Sequence, residues 1–307
     1  MKDMHTSSSE TEQHCGLVAI VGAPNAGKST LVNALVGQKI AIISPKAQTT
    51  RTRLMGIALA GQTQILLIDT PGIFTPRKRF DRAMVAAAWG GAEGADLVAL
   101  VIDATSGITR RTEPLIEALK ARSEPKIVIL NKVDITPKAE LLALAQKLYT
   151  ELEPKELFMV SATTGDGIDD LRQALANMMP VGPWHFPEDQ VSDVTDRMMA
   201  AEITREQIFL QLHDELPYAA AVETEKYEER ADGSVAIYQQ ILIARESQKA
   251  IVVGHHGARL KEIGSVARTE LSKLLGCKVH LFLHVKVSPK WDEDRGLYSE
   301  IGLDWVK

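Results

Sequence analysis

Nine residues, Gly22-Ala23-Pro24-Asn25-Ala26-Gly27-Lys28-Ser29-Thr30, dictate the architecture of the first half of the chain. They follow an apolar, β-rich run, Gly16 to Val21, and open an amphipathic helical pattern, Ser29 to Val36. The match is to G-x-x-x-x-G-K-[ST], placed where its chemistry requires. Glycines let backbone wrap a phosphate, and the loop and helix N–H groups aim at the β-phosphate. Lys28 reaches the β and γ oxygens, and the Ser29 hydroxyl ligates magnesium. Four fixed positions recur by chance in such a chain in roughly one case in a hundred. An ordinary strand-to-helix turn is therefore a poor explanation.

Further apolar runs at Leu97 to Ile102, Lys126 to Leu130 and Leu157 to Val160 read as buried strands, each followed by a helical pattern such as Ile168 to Met178. This alternation predicts a mostly parallel sheet covered on both faces. Arg53 to Ala60 and Gln64 to Ile68 flank Gly61-Gln62 and predict one antiparallel hairpin in it. The expected fold class is α/β, a phosphate-loop domain over residues 15–180 preceded by a disordered tail, residues 1–14. Pro180, Pro183 and Pro187 then exclude a continuing helix and mark a linker over 181–194.

Beyond the linker the pattern changes. A helix from Thr195 to Leu216, strands Ala219 to Glu229 and Val235 to Ala244 around a turn at Ala231 to Ser234, a Gly-rich elbow, a helix from Ala258 to Leu275 and a strand Lys278 to Val287 give the order α, β, β, α, β. That is a smaller α+β module over 195–307, ending in a tail. With 307 residues there is room for both domains. Cys15 and Cys277 alone supply neither a disulfide framework nor clustered zinc ligands. No uncharged apolar run approaches the ~18 residues of a membrane span, so a soluble, cytoplasmic chain is expected.

Asp69-Thr70-Pro71-Gly72 ends the apolar run Ile65 to Ile68. A carboxylate there orients a magnesium shell, through water, and the Gly72 N–H meets a γ-phosphate. Any D-x-x-G arises about once in a chain this long, so its position alone gives it weight. Asn131-Lys132-Val133-Asp134 follows Ile127 to Leu130. The Asp134 carboxylate would accept from guanine N1–H and N2–H₂, with Asn131 near N7 and the Lys132 stem against the ring. Adenine lacks those two donors, so the tetrad selects guanine. Ser161-Ala162, after Leu157 to Val160, offers a backbone N–H to guanine O6. All four elements lie at the C-terminal ends of predicted strands, where open α/β sheets bind ligands.

On these residues the chain resembles the translation-factor-related GTPases, and within them the Era GTPases. The resemblance rests on G-x-P-N-x-G-K-S-T at Gly22 to Thr30, on Lys46-Ala47-Gln48-Thr49-Thr50-Arg51 as the effector stretch, and on the D-T-P-G and N-K-V-D tetrads. It extends over residues 16 to 307. It implies a magnesium-dependent switch that binds GTP and GDP and hydrolyses GTP, with Lys28, Thr50, Gly72 and Asn25 in catalytic roles. Thr50, next to Arg51, is expected to close onto magnesium and the γ-phosphate, with Thr49 the alternative. Ile73 stands where Ras-like proteins carry a water-positioning glutamine, so intrinsic turnover should be slow. Related GTPases with an apolar residue here use potassium held by a phosphate-loop asparagine, and Asn25 occupies that position.

In the second module, Gly254-His255-His256-Gly257 opens a helix whose Leu260, Ile263, Ala267, Leu271 and Leu274 share one face. This looks like a KH module of the second arrangement, in which G-x-x-G clamps about four nucleotides of backbone against an apolar groove. Residues 241–290 carry nine Lys/Arg against three acids, inside a chain of net charge −5. Arg259, Lys261 and Arg268 are the expected RNA contacts beside the loop. KH loops commonly carry Lys or Arg where this one has two histidines, and an imidazole adds charge only as pH falls toward 6. The resemblance further implies binding near the 3′ end of small-subunit (16S) ribosomal RNA during assembly of that subunit, by a monomer. Peripheral contact with the cytoplasmic face of the inner membrane stays open. Two alternatives are a tRNA-modification GTPase and a membrane or cell-cycle signalling GTPase acting through protein partners. The aromatic segment Trp291 to Lys307 is expected to pack rather than to bind.

Overall fold

A computed structural model describes residues 12–306 apart from Ala47, Arg77 and Glu215. Residues 1–11 of the expected tail, and Ala47 of the effector stretch, lie outside the described residues. His14, assigned to that tail, instead pairs with Thr63 at the start of β1 (His14–Gly22).

One sheet has the order β2-β3-β1-β4-β5-β6. In it β1, β3 (Thr63–Asp69), β4 (Leu97–Asp103), β5 (Lys126–Asn131) and β6 (Leu157–Val160) run parallel, and β2 (Leu54–Ala60) is antiparallel to β3, as the turn at Gly61-Gln62 predicts. The central strands are apolar on both faces because helices cover both. On one side α1 (Lys28–Val36) and α5 (Ile168–Met178) bring Leu31, Leu35, Leu171 and Leu175 against Val18 and Ile20. On the other, α2 (Arg79–Gly90), α3 (Glu113–Lys120) and α4 (Lys138–Leu152) bring Ala88, Leu115, Leu119 and Leu148 against Ala19 and Val21.

Residues 181–194 are not a free linker. The prolines stop the helix as expected, but the segment crosses β2 and β3 as a strap. Ile57 N–H donates to Val191 O at 2.9 Å, and the Trp184 indole donates to Gln62 O at 3.0 Å. The buried Gln64 side chain accepts from the His185 and Phe186 N–H groups. Trp184 and Phe186 pack on Cys15, Ile57 and Leu66.

The second module contains α6 (Asp196–Gln211), β7 (Ala220–Glu229), β8 (Val235–Ile243), α7 (Glu246–Val253), α8 (Ala258–Leu274) and β9 (Val279–Val287). Two corrections arise. The first helix ends at Gln211 rather than Leu216, and the order is α, β, β, α, α, β. The run Ile251 to Val253 belongs to α7, whose start is closed by Gln248 Oε1 accepting from the N–H groups of Ala244 and Arg245 at 3.0 Å each. The strands form a β7-β8-β9 sheet, antiparallel then parallel. The C-terminal segment packs, as expected, but against the first domain. Trp291, Leu303 and, from α9 (Arg295–Glu300), Leu297 and Tyr298 bury Phe80, Ala83 and Met84 of α2. Among the described residues, no helix is long and apolar enough to cross a membrane.

Candidate nucleotide site and nucleic-acid interface

The phosphate loop leaves β1 at Gly22 and enters α1 through Gly27, at φ 90°. A Cβ at Gly27 would lie 2.2 Å from Asn131 Nδ2, so both the backbone conformation and the space require glycine. Lys28 is buried, and its ammonium donates to Gly22 O and Ala23 O at 3.1 Å each. Burial pushes its pKa down to about 8, opposed by the nearby Asp69 carboxylate. Ala26 is buried, while Pro24 and Asn25 come to the surface.

Ser29 Oγ donates to Asp69 Oδ2 at 2.6 Å and lies 2.7 Å from Thr50 Oγ1, which is 3.3 Å from the same carboxylate oxygen. Two hydroxyls and a carboxylate from three elements thus converge on one point. Asp69 Oδ1 is buried with no partner, an orphan that a hydrated cation would satisfy. Burial pushes the Asp69 carboxyl up, opposed by Lys28, Ser29 and Thr50. These all-oxygen donors suit magnesium. The alternative, Thr49, turns away: its hydroxyl donates to Lys46 O at 2.9 Å. Thr70 Oγ1 donates to Ile20 O and braces the strand end. Pro71, Gly72 and Ile73 are buried beside the loop, and a Cβ on Gly72 would meet Pro24 at 2.8 Å.

A cleft of about 800 Å³ runs from Ala23, Pro24 and Thr30 to Asp103, Arg110 and Lys132. Asn131 does not point to a free base edge. Its Nδ2 donates to Ala26 O, and its Oδ1 accepts from the Ala162 N–H, each at 3.0 Å, so it ties three loops together. The Ser161 N–H is likewise engaged, by Asp166 O at 2.9 Å. Lys132, at φ 68°, pairs with Asp103 at 2.5 Å, Val133 packs against the core, and Asp134 is exposed.

In the second module the G-x-x-G loop closes with the Gly257 N–H donating to Gly254 O at 3.2 Å, with His256 left-handed at φ 50°. His255 and His256 are exposed and meet edge to face, 4.1 Å between ring centroids. Next to the loop is a groove of about 390 Å³ lined by Leu260, Lys261, Gly264 and Arg268 of α8 and by Leu281 and Leu283 of β9. Apolar walls with two cations at the rim suit bases inside and phosphates outside. Arg259 is exposed but does not line the groove; it lies so close to Gly254 that a Cβ there would meet its Cβ at 2.8 Å.

Residues 17–132 match a family model described as 50S ribosome-binding GTPase, and 215–292 match a KH domain model. A GTPase Era of Erythrobacter litoralis is 59% identical over 297 residues, 95% of this chain and 98% of that one. The chain belongs to the Era GTPase family. Its activity is hydrolysis of GTP. A GTPase Era of Maricaulis maris is 50% identical, covering 97% of this chain and 99% of that one. A solved Era in complex with MgGDPNP and nucleotides 1506–1542 of 16S ribosomal RNA superposes with a TM-score of 0.90 at 38% identity, over 94% of this chain and 99% of that one.

Two features of this Era-family chain escaped the motifs. Arg110 and Arg111 line the nucleotide cleft from the loop after β4, which no motif marks. The segment leading into the effector stretch is also docked on α6: Glu206 accepts from the Ile43 N–H at 2.7 Å and from Lys39 at 2.6 Å, and Ile42 sits in the core of the second module.

Proposed function

We propose that this protein is a GTP-driven switch that binds the 3′ end of small-subunit ribosomal RNA and assists assembly of that subunit as a cytoplasmic monomer. One observation carries the reading. The segment that ends at Thr50, in the oxygen cluster with Ser29 and Asp69, is bonded along its length to α6, and α6 packs on α8, which lines the groove. Support for the RNA target comes from the family member solved with a fragment of 16S ribosomal RNA.

The phosphate loop and Lys28 bind and orient the β- and γ-phosphates, for which Lys28 exchanges its bonds to Gly22 and Ala23. Ser29, Thr50 and Asp69 would hold magnesium, which when bound would spread the charge developing on the phosphates. Ile73, buried and apolar, cannot orient water, so turnover is slow without a further cation or partner. Asn25 is our candidate for holding potassium beside the phosphates. It is exposed, left-handed at φ 65°, and fixed by donating to Pro45 O at 2.9 Å, which leaves its oxygen to coordinate. Asp134 is the candidate for guanine selection.

The reading is tested by sedimenting purified small subunits with the protein loaded with GTP analogue or GDP. Co-sedimentation that depends on nucleotide and is lost in Lys261→Glu/Arg268→Glu is expected. Binding to tRNA or membrane fractions in its place would support the alternatives.

A further inference from the structure

Thr50 and Arg51 are neighbours in sequence that face opposite domains. Thr50 Oγ1 joins Ser29 and Asp69. Arg51, 7% exposed, runs into the second module, where Nη1 donates to Ala220 O at 2.7 Å and Nη2 to Pro217 O and Tyr218 O at 3.2 and 3.3 Å. Its guanidinium carbon lies 5.6 Å from the ring centroid of Phe80 and 5.7 Å from those of Phe209 and Trp291. The three rings come from α2, α6 and the C-terminal segment, so four parts of the molecule meet on one side chain. None of the hydrogen-bond acceptors is a carboxylate. The charge is met by carbonyl dipoles and ring faces, an arrangement that a flat, forked guanidinium fits and an ammonium does not.

We propose that Arg51 is the positioning residue through which closure of Thr50 on the nucleotide is transmitted to the second module. This rests on the reading that the first domain cycles between GTP and GDP. Thr50 cannot leave the metal site without moving its neighbour, since one residue spans only about 3.3 Å. Arg51 in turn cannot move without giving up its bonds to three carbonyls or drawing β7 and α6 along. Other bonds reinforce the docking, among them Lys46 to the carbonyls of Phe209 and Leu212 and Arg205 to Thr49 O. Of the three side chains Lys46, Arg51 and Arg205, Arg51 also meets α2, the helix after D-T-P-G, through the Phe80 ring. By linkage, any partner that holds α6 and β7 in this arrangement favours Thr50 in the oxygen cluster and so favours hydrolysis.

The test is hydrogen exchange of the full chain with GDP and with a non-hydrolysable GTP analogue, in wild type, Arg51→Ala and Arg51→Lys, with GTPase kinetics on the same samples. In wild type, amides of α6 and of the first residues of β7 should be protected about fivefold or more by the analogue over GDP. In Arg51→Ala that ratio should fall to about one while GDP affinity is kept. Its kcat should fall with KM little changed, and Arg51→Lys should recover only part of the ratio. A wild-type ratio that survives in Arg51→Ala overturns the proposal, as does a wild type whose α6 ignores the nucleotide. If Arg51→Ala does not fold, Phe209→Leu and Arg51→Lys serve, and an undiminished ratio in both overturns it. No RNA is used, so failure of the RNA reading is detected separately, by the sedimentation experiment.

Discussion

The Glu206 carboxylate on α6 holds the segment before Thr50 twice, at the Ile43 N–H (2.7 Å) and at Lys39 Nζ (2.6 Å). Lys39 also reaches Glu270 on α8, so one cation joins the switch segment to both helices. Removing one partner of a buried pair is costly, but Lys39 is a third exposed and keeps Glu270. Glu206→Ala should therefore destabilise the chain by about 1–2 kcal/mol rather than the larger cost of a fully buried pair, measured as a lowered urea midpoint. A midpoint equal to wild type would contradict the clamp.

Thr50, not Thr49, completes the oxygen cluster with Ser29 and Asp69. Thr50→Ala should cut the GTPase kcat about 10- to 100-fold and raise the magnesium concentration needed. Thr49→Ala should change it by less than about threefold, the scale of a surface substitution. Removing magnesium with a chelator should erase the difference between wild type and Thr50→Ala.

If Asn25 holds potassium, GTP hydrolysis should be faster in potassium than in sodium at equal ionic strength. In Asn25→Ala the two rates should converge on the sodium value. Equal wild-type rates in the two salts would remove potassium from the mechanism.

Lys261 and Arg268 flank the groove, and each should contribute about one phosphate contact. Single charge-removing variants should lower RNA affinity and reduce the slope of log K against log salt by about one each.

The phosphate loop, the two tetrads and the G-x-x-G loop were legible because each is a short run whose chemistry is complete in itself. Even there the residues' partners were not. Asn131 reads as a base contact, yet both ends of its amide are taken by Ala26 and Ala162, which only the folded loops bring to it. The strap over β2 and β3 was hidden because it depends on Gln64, in a strand that reads simply as apolar. The coupling of the domains was least visible: Lys39 and Glu206 are 167 residues apart, and Arg51 and Ala220 are 169 apart. No local pattern marks a cation whose acceptors are backbone carbonyls in another domain. The bulk charge of −5 likewise conceals the excess of Lys and Arg over acids within residues 241–290, the stretch whose residues line the groove.

The most direct test of the central claim is crosslinking of the full chain to cellular RNA, followed by sequencing, with GTP analogue and with GDP bound. Crosslinks from the groove of α8 and β9 to the 3′ end of small-subunit ribosomal RNA, enriched in the GTP-analogue state, are the predicted result. Crosslinks concentrated on tRNA, or on the same ribosomal site in equal yield with both nucleotides, would contradict a GTP-driven switch acting on that RNA.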